Sequence, residues 1–158
     1  MGLFGRFFRL IPVMMVLFFA FFVPPLWSQA ETEQSRSDDP AQYIGLTLTD
    51  LFQRFGVPGS VYASRGLEEW QDDVVFVYDQ GDFYIYKDRV WQLELKDVMG
   101  IKAGDSRSVV SLVLGSKAES FGNSIFYSLD AGAWPMMLRC DFDKDDNVQV
   151  IFIYRTDL

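Results

Sequence analysis

Between positions 141 and 147 the chain reads Asp-Phe-Asp-Lys-Asp-Asp-Asn. Carboxylates on alternate residues open a calcium loop, because a hard cation takes oxygen ligands from closely spaced side chains. Asp141, Asp143 and Asp145 are the candidate ligands. The run departs from an EF-hand loop at two places. Asp146 stands where glycine is needed, and Phe152 where the bidentate glutamate belongs. The bland reading is a solvated hairpin tip, since Asp and Asn favour turns. Two adjacent acid pairs, Glu68-Glu69 and Asp72-Asp73, would suit acid/base work on a glycan. Adjacent acids in a loop otherwise face solvent.

Other chemistry is ruled out by residue type. The chain has no histidine, so Ser-His-Asp and Cys-His catalysis and histidine-held metal are absent. Cys140 is the single cysteine, so no intrachain disulfide forms. It alternates with apolar neighbours and reads as a buried small hydrophobe. The glycines are dispersed, with no phosphate-cradling loop. No cofactor is expected, and the chain is read as a non-enzyme.

Aromatic placement is the stronger functional signal. Alternation puts Phe83 and Ile85 on one side of a strand and Tyr84 and Tyr86 on the other. Trp91 shares a side with Leu93 and Leu95, opposite Val90. Met137 and Arg139 are the rough counterparts of Tyr84 and Tyr86 later in the chain. Tyr and Trp on a rigid surface are favoured anchors in protein recognition, although exposed tyrosine is also common on antiparallel sheets. Tyr84, Tyr86, Trp70, Trp91 and Arg139 are the candidate partner-binding residues. Trp70 and Trp134 lie in loops, as plugs over the core or as rim contacts.

The ends say where such a surface would work. Arg6 and Arg9 precede an apolar run from Leu10 to Trp27, and Ser28-Gln29-Ala30 offers small residues for processing. This is the pattern of a signal peptide over residues 1–30. The competing reading is an uncleaved N-terminal anchor. The expected location is periplasmic or secreted, with membrane contact only if that segment is kept. Residues 31–42 read as a flexible leader. Beyond Ala30 the chain has 12 basic and 22 acidic residues, a net charge of −10. Such a balance repels phosphate backbones, so nucleic acid is excluded as a partner.

The elements that must position these residues come in two similar series. Gly45 to Gly56 and Gly104 to Gly115 each run from a glycine, through a polar start and an apolar stripe, to a closing glycine. In the first, Leu48, Leu51, Phe52 and Phe55 have helical spacing, with Thr47 or Thr49 as cap and Gly56 as stop. In the second, a helix runs from about Arg107 to Leu114 behind Ser106 or Ser108. Three strands follow each helix: 74–78, 83–87 and 90–95, then 124–129, 136–142 and 148–154. Val57 to Trp70 reads as a connection. Neither unit buries both faces of its sheet alone. The expectation is one α+β domain over residues 43–158, with repeats at 43–97 and 98–158. Its two layers are about six antiparallel strands and two short helices on one face.

This order of helix, glycine, loop and meander resembles the repeat of the BLIP and BamE (SmpA/OmlA) group of exported proteins. The stretches Gly45 to Pro58 and Gly104 to Gly115 carry the likeness, with residues 69–78, Phe126-Tyr127 and the hairpins ending at Val90 and Val148. Ser116-Lys117 departs from it, standing where the first copy has its proline. Tandem members of that group look like β-lactamase inhibitors that bind an enzyme across an aromatic sheet face. Single-repeat members look like envelope-assembly lipoproteins, and this chain has no lipid-attachment cysteine near Ala30. The reading is an exported module that contacts a protein partner in the envelope or outside the cell. The alternative is a small ligand, glycan or calcium binder, or a carboxylate-dependent hydrolase.

Overall fold

The computed structural model describes residues 39–65, 72–130 and 132–158. The signal segment, the leader to residue 38, Glu68-Glu69 and Trp70 lie outside the described residues. The fold reaches back past Tyr43. Asp39 caps a short 3-10 turn over Pro40–Tyr43, and Ala41 is buried in the core.

Helix α1 covers Leu48–Phe55. Thr47 and Asp50 form a capping box at its start. The Thr47 hydroxyl accepts from the Asp50 amide at 3.2 Å, and the Asp50 carboxylate accepts from the Thr47 amide at 3.2 Å. Two orphan amides of the first turn are thereby satisfied. Leu51 is fully buried, whereas Phe52 stays 41% exposed and meets Phe76 edge-on. Thr47→Ala should cost about 1 kcal/mol in urea denaturation, the usual price of an N-cap. The Thr47 hydrogen bonds hold the Asp50 carboxyl below its ordinary value of 3.8. That contribution is full above 3.8 and disappears as pH falls through the folded value. The gap between wild type and Thr47→Ala should therefore shrink in acid.

Helix α2 covers Arg107–Leu114. Ser106 takes the N-cap place but makes no side-chain capping bond. The helix start is tied to a hairpin instead, with Arg107 N donating to Asp146 O at 3.0 Å and Arg107 Nε to Asp146 Oδ1 at 2.8 Å. Val110 and Leu114 are buried, while Leu112 is 84% exposed.

The strands are β1 (Ser60–Ser64), β2 (Asp73–Tyr78), β3 (Gly81–Tyr86), β4 (Arg89–Leu95), β5 (Asp97–Val98), β6 (Ile101–Lys102), β7 (Glu119–Phe121), β8 (Ser124–Leu129), β9 (Met136–Phe142) and β10 (Val148–Arg155). Among the described residues one antiparallel sheet has eight strands in the order β1-β2-β3-β4-β10-β9-β8-β7, and β5 and β6 form a small second sheet. About six strands were expected. The two additions are the edges: β1 lies inside the stretch read as a connection, and β7 precedes the predicted start of the second meander.

The two halves meet at the β4–β10 pair. Each helix entrance is stitched to the last hairpin of its own half by the same bonds. Gly45 N donates to Val90 O and Val90 N to Leu46 O. Gly104 N likewise donates to Val148 O, and Val148 N to Asp105 O.

Both helices cover one side of the large sheet. Leu51 from α1 and Val110 and Leu114 from α2 share a core with Phe83, Leu93, Leu138, Cys140 and Ile151. Cys140 is buried there as expected, and burial pushes its thiol up to about 11. An aromatic group of Tyr43, Phe55, Tyr78 and Phe83, with ring centroids 5.1–5.9 Å apart, fills the first half.

Candidate functional site

The side of the sheet away from the helices carries the candidate surface. Strand register places its residues in rows. One row runs Val77, Asp82, Glu94, Phe152, Arg139, Phe126. The next runs Tyr62, Val75, Tyr84, Gln92, Tyr154, Met137. Their partners Phe83, Leu93, Ile153 and Leu138 alternate with them and point into the core. Most of the open-face side chains are half-buried, and Val75 is fully so.

Hydrogen bonds fix the polar members. Tyr62 donates its hydroxyl to Asp82 Oδ2 at 3.0 Å. Tyr84 donates to Glu94 Oε2 at 3.0 Å. The Trp91 indole donates to Asp73 Oδ1 at 3.0 Å. On the other half, Arg139 pairs with Asp141 at 2.8 Å and lies 4.6 Å from the Phe152 ring centroid. Ser124 donates to the other oxygen of Asp141. Burial raises the Asp73 carboxyl, against the pull of the Trp91 bond. Burial raises the Tyr84 phenol strongly, with the Glu94 charge next.

Asp82 and Glu94 face each other directly across β3 and β4. Like charges in that position cost roughly a few tenths of a kcal/mol. No basic side chain offsets them in the bonds just described.

The structure brings Tyr84, Trp91 and Arg139 onto this one face, with Tyr86 by strand alternation. Trp91 is placed differently from expectation. The register steps from Tyr84↔Gln92 to Ile85↔Val90, which makes Trp91 the extra residue of a bulge. Val90, Leu93 and Leu95 are therefore all buried, and the indole reaches Asp73 on the open side. Trp134 is a loop plug: it packs on the core, and the Arg155 guanidinium lies 3.7 Å above its ring. Tyr62, Asp82, Glu94, Phe152 and Tyr154 belong to the face and were not singled out from sequence. Alternation in Val148–Arg155 carried a readable signal for the last two.

In the acidic hairpin, one acid holds the turn and the others meet separate partners. Asp143 Oδ1 accepts from the amides of Asp145 and Asn147, both at 2.9 Å. Asp141 is committed to Arg139 and Ser124, and Asp146 to Arg107. Asp145 is exposed beside Lys144. Among the described residues no three acids or cysteines are grouped to hold a metal ion. Asp72 and Asp73 part company as well, since Asp72 pairs with Arg65 at 3.2 Å while Asp73 takes the Trp91 bond.

No protein-family model matches the chain, and no curated protein matches it. Among solved structures it is similar to an extracellular protein containing an SCP domain from Bacillus anthracis str. Ames. That likeness has 13% identity and a TM-score of 0.49, over 76% of this chain and 46% of that one. It is also similar to YjgB, a DUF4309 family protein from Bacillus subtilis subsp. subtilis str. 168. Here the identity is 17% and the TM-score 0.42, over 70% of this chain and 78% of that one. The chain thus spans less than half the length of the first. Likenesses of this strength carry no conclusion about activity.

Proposed function

We propose that this chain is an exported, non-enzymatic binding module that takes a protein partner across the open face of its sheet. The observation that carries the reading is the set of fixed aromatic side chains on that face. Tyr62, Tyr84 and Trp91 are each held by a hydrogen bond to a carboxylate. Tyr84 and Tyr154 lie in one row, two strands apart. Aromatic anchors that are already ordered lose little entropy on association.

The same proposal takes the two halves as copies of one helix-plus-meander unit, as in the BLIP and BamE group. The matching stitches at Gly45–Val90 and Gly104–Val148 support it. So does the equal spacing of the two glycine-bounded stretches. Export rests on the signal-like segment of residues 1–30. Among the described residues no helix is long and apolar enough to cross a membrane.

The test is capture from envelope extract and culture medium. Tyr84→Ala/Tyr154→Ala should lose the captured partner by about thirtyfold or more, the loss expected for hot-spot aromatics. Leu112→Ser, on the outer side of α2, should retain it. The same partner bound equally by all three proteins would remove the sheet face from consideration.

A further inference from the structure

We infer that the partner presents a lysine or arginine side chain to the β1–β4 half of the open face, an inference that rests on the binding-face reading above. Three carboxylates stand on that half: Asp73, Asp82 and Glu94. Each is held by a neutral aromatic donor, Trp91, Tyr62 and Tyr84 in turn. A neutral donor fixes a carboxylate in place and leaves its charge intact. Arg89, opposite Tyr86 in the register, donates to Gly45 O at 2.9 Å. Lys87 lies over the Tyr86 ring at 4.9 Å, and Arg139 on the far half is paired with Asp141. The β1–β4 half therefore carries three carboxylates among aromatic rings, while on the far half Arg139 offsets Asp141.

That combination is complementary to one ligand chemistry. An ammonium or guanidinium gains charge-assisted hydrogen bonds from carboxylates and attraction from aromatic faces. Asp82 and Glu94, set opposite each other, repel in the free protein. A cation lying over both turns that repulsion into attraction. The strongly raised Tyr84 phenol, for which burial is the first cause and the Glu94 charge the second, agrees with a negative potential here. The far half, with Phe152, Tyr154 and Met137, is left to receive the apolar part of the same partner.

The probe is an acetylated, amidated tetralysine peptide, with tetraglutamate as its counterpart, titrated while the Trp91 indole N–H resonance is followed. Tetralysine should shift that resonance saturably, and tetraglutamate should not. Asp73→Asn/Asp82→Asn/Glu94→Gln keeps the acceptors and removes the charges. It should weaken tetralysine binding at least about tenfold without lowering the melting temperature. Asp79→Asn/Asp97→Asn/Asp145→Asn removes as many charges elsewhere and should weaken it less than about threefold. Glu94→Gln alone serves should the triple variant fail to fold. Equal losses in the two triple variants, or no shift at Trp91, would overturn the inference. A captured partner that survives Asp73→Asn/Asp82→Asn/Glu94→Gln but not Tyr84→Ala/Tyr154→Ala would overturn it too, and leave the binding face standing.

Discussion

Phe83→Ala is expected to remove a large share of the folding stability. The ring is fully buried at the middle of β3 and lies 5.3 Å, centroid to centroid, from both Phe55 and Tyr78. Tyr43 stands at 5.9 Å. Phe83 therefore joins β2, β3, α1 and the turn before α1 at one point. Its removal opens a cavity that three rings border, and rings on a sheet collapse into such a space poorly. Phe→Ala in a core costs about 3–5 kcal/mol, against a total stability of about 5–15 kcal/mol for a domain. Guanidinium denaturation followed by far-UV circular dichroism would show the midpoint falling steeply. Phe152→Ala is the matched control. It sits on the open face of β10, half-buried, and should cost less than half as much. Equal costs at the two positions would mean that the face assignment is wrong.

That contrast between the two sides of the sheet was partly legible in the sequence. Strands β8 and β9 begin and end where the alternation does, because both are interior and one side of each is core. Tyr84 is placed on the open side by the same alternation. The edge strands carry no readable pattern, for a physical reason. In β1, Val61 is 51% exposed and Tyr62 43% exposed, so no apolar stripe is required of it. β7 is only three residues long, all exposed. A strand without a buried side leaves no period to read. Tyr62 was lost with its strand. Trp91 was misplaced because one extra residue in β4 shifts the parity, and a bulge has no signature in residue type here. The carboxylates Asp82 and Glu94 read singly as ordinary polar positions. Their meeting depends on the β3–β4 register, which is a tertiary fact. Of the hairpin acids, conspicuous in sequence, Asp143 finds two backbone amides within its own turn, a local bond that the run of acids alone does not single out.

Gly81→Ala should cost at least about 2 kcal/mol, from backbone strain and crowding together. Gly81 has φ +150°, which L side chains rarely adopt. A Cβ there would run into the carbonyl oxygen of Glu94 and press on the Leu95 side chain. Neither strand can step aside cheaply. β3 is paired with β2 on one edge and β4 on the other, and β4 is held in turn by β10. The obstacle is main chain, so rotamer changes do not relieve it. Gly56 separates the crowding from the strain. It has φ +75°, and nothing lies within 4 Å of the Cβ it lacks. Gly56→Ala should therefore cost about 1–2 kcal/mol, from the positive φ alone. The difference reaches the candidate site as well. Gly81 precedes Asp82, and the carbonyl it would strike belongs to Glu94, so relief of the clash must move the two carboxylates apart. Below the melting transition, Gly81→Ala should thus lose tetralysine affinity that Gly56→Ala keeps, with the Trp91 indole resonance as the readout in both. Equal affinities in the two variants would mean that the spacing of Asp82 and Glu94 does not matter to the face.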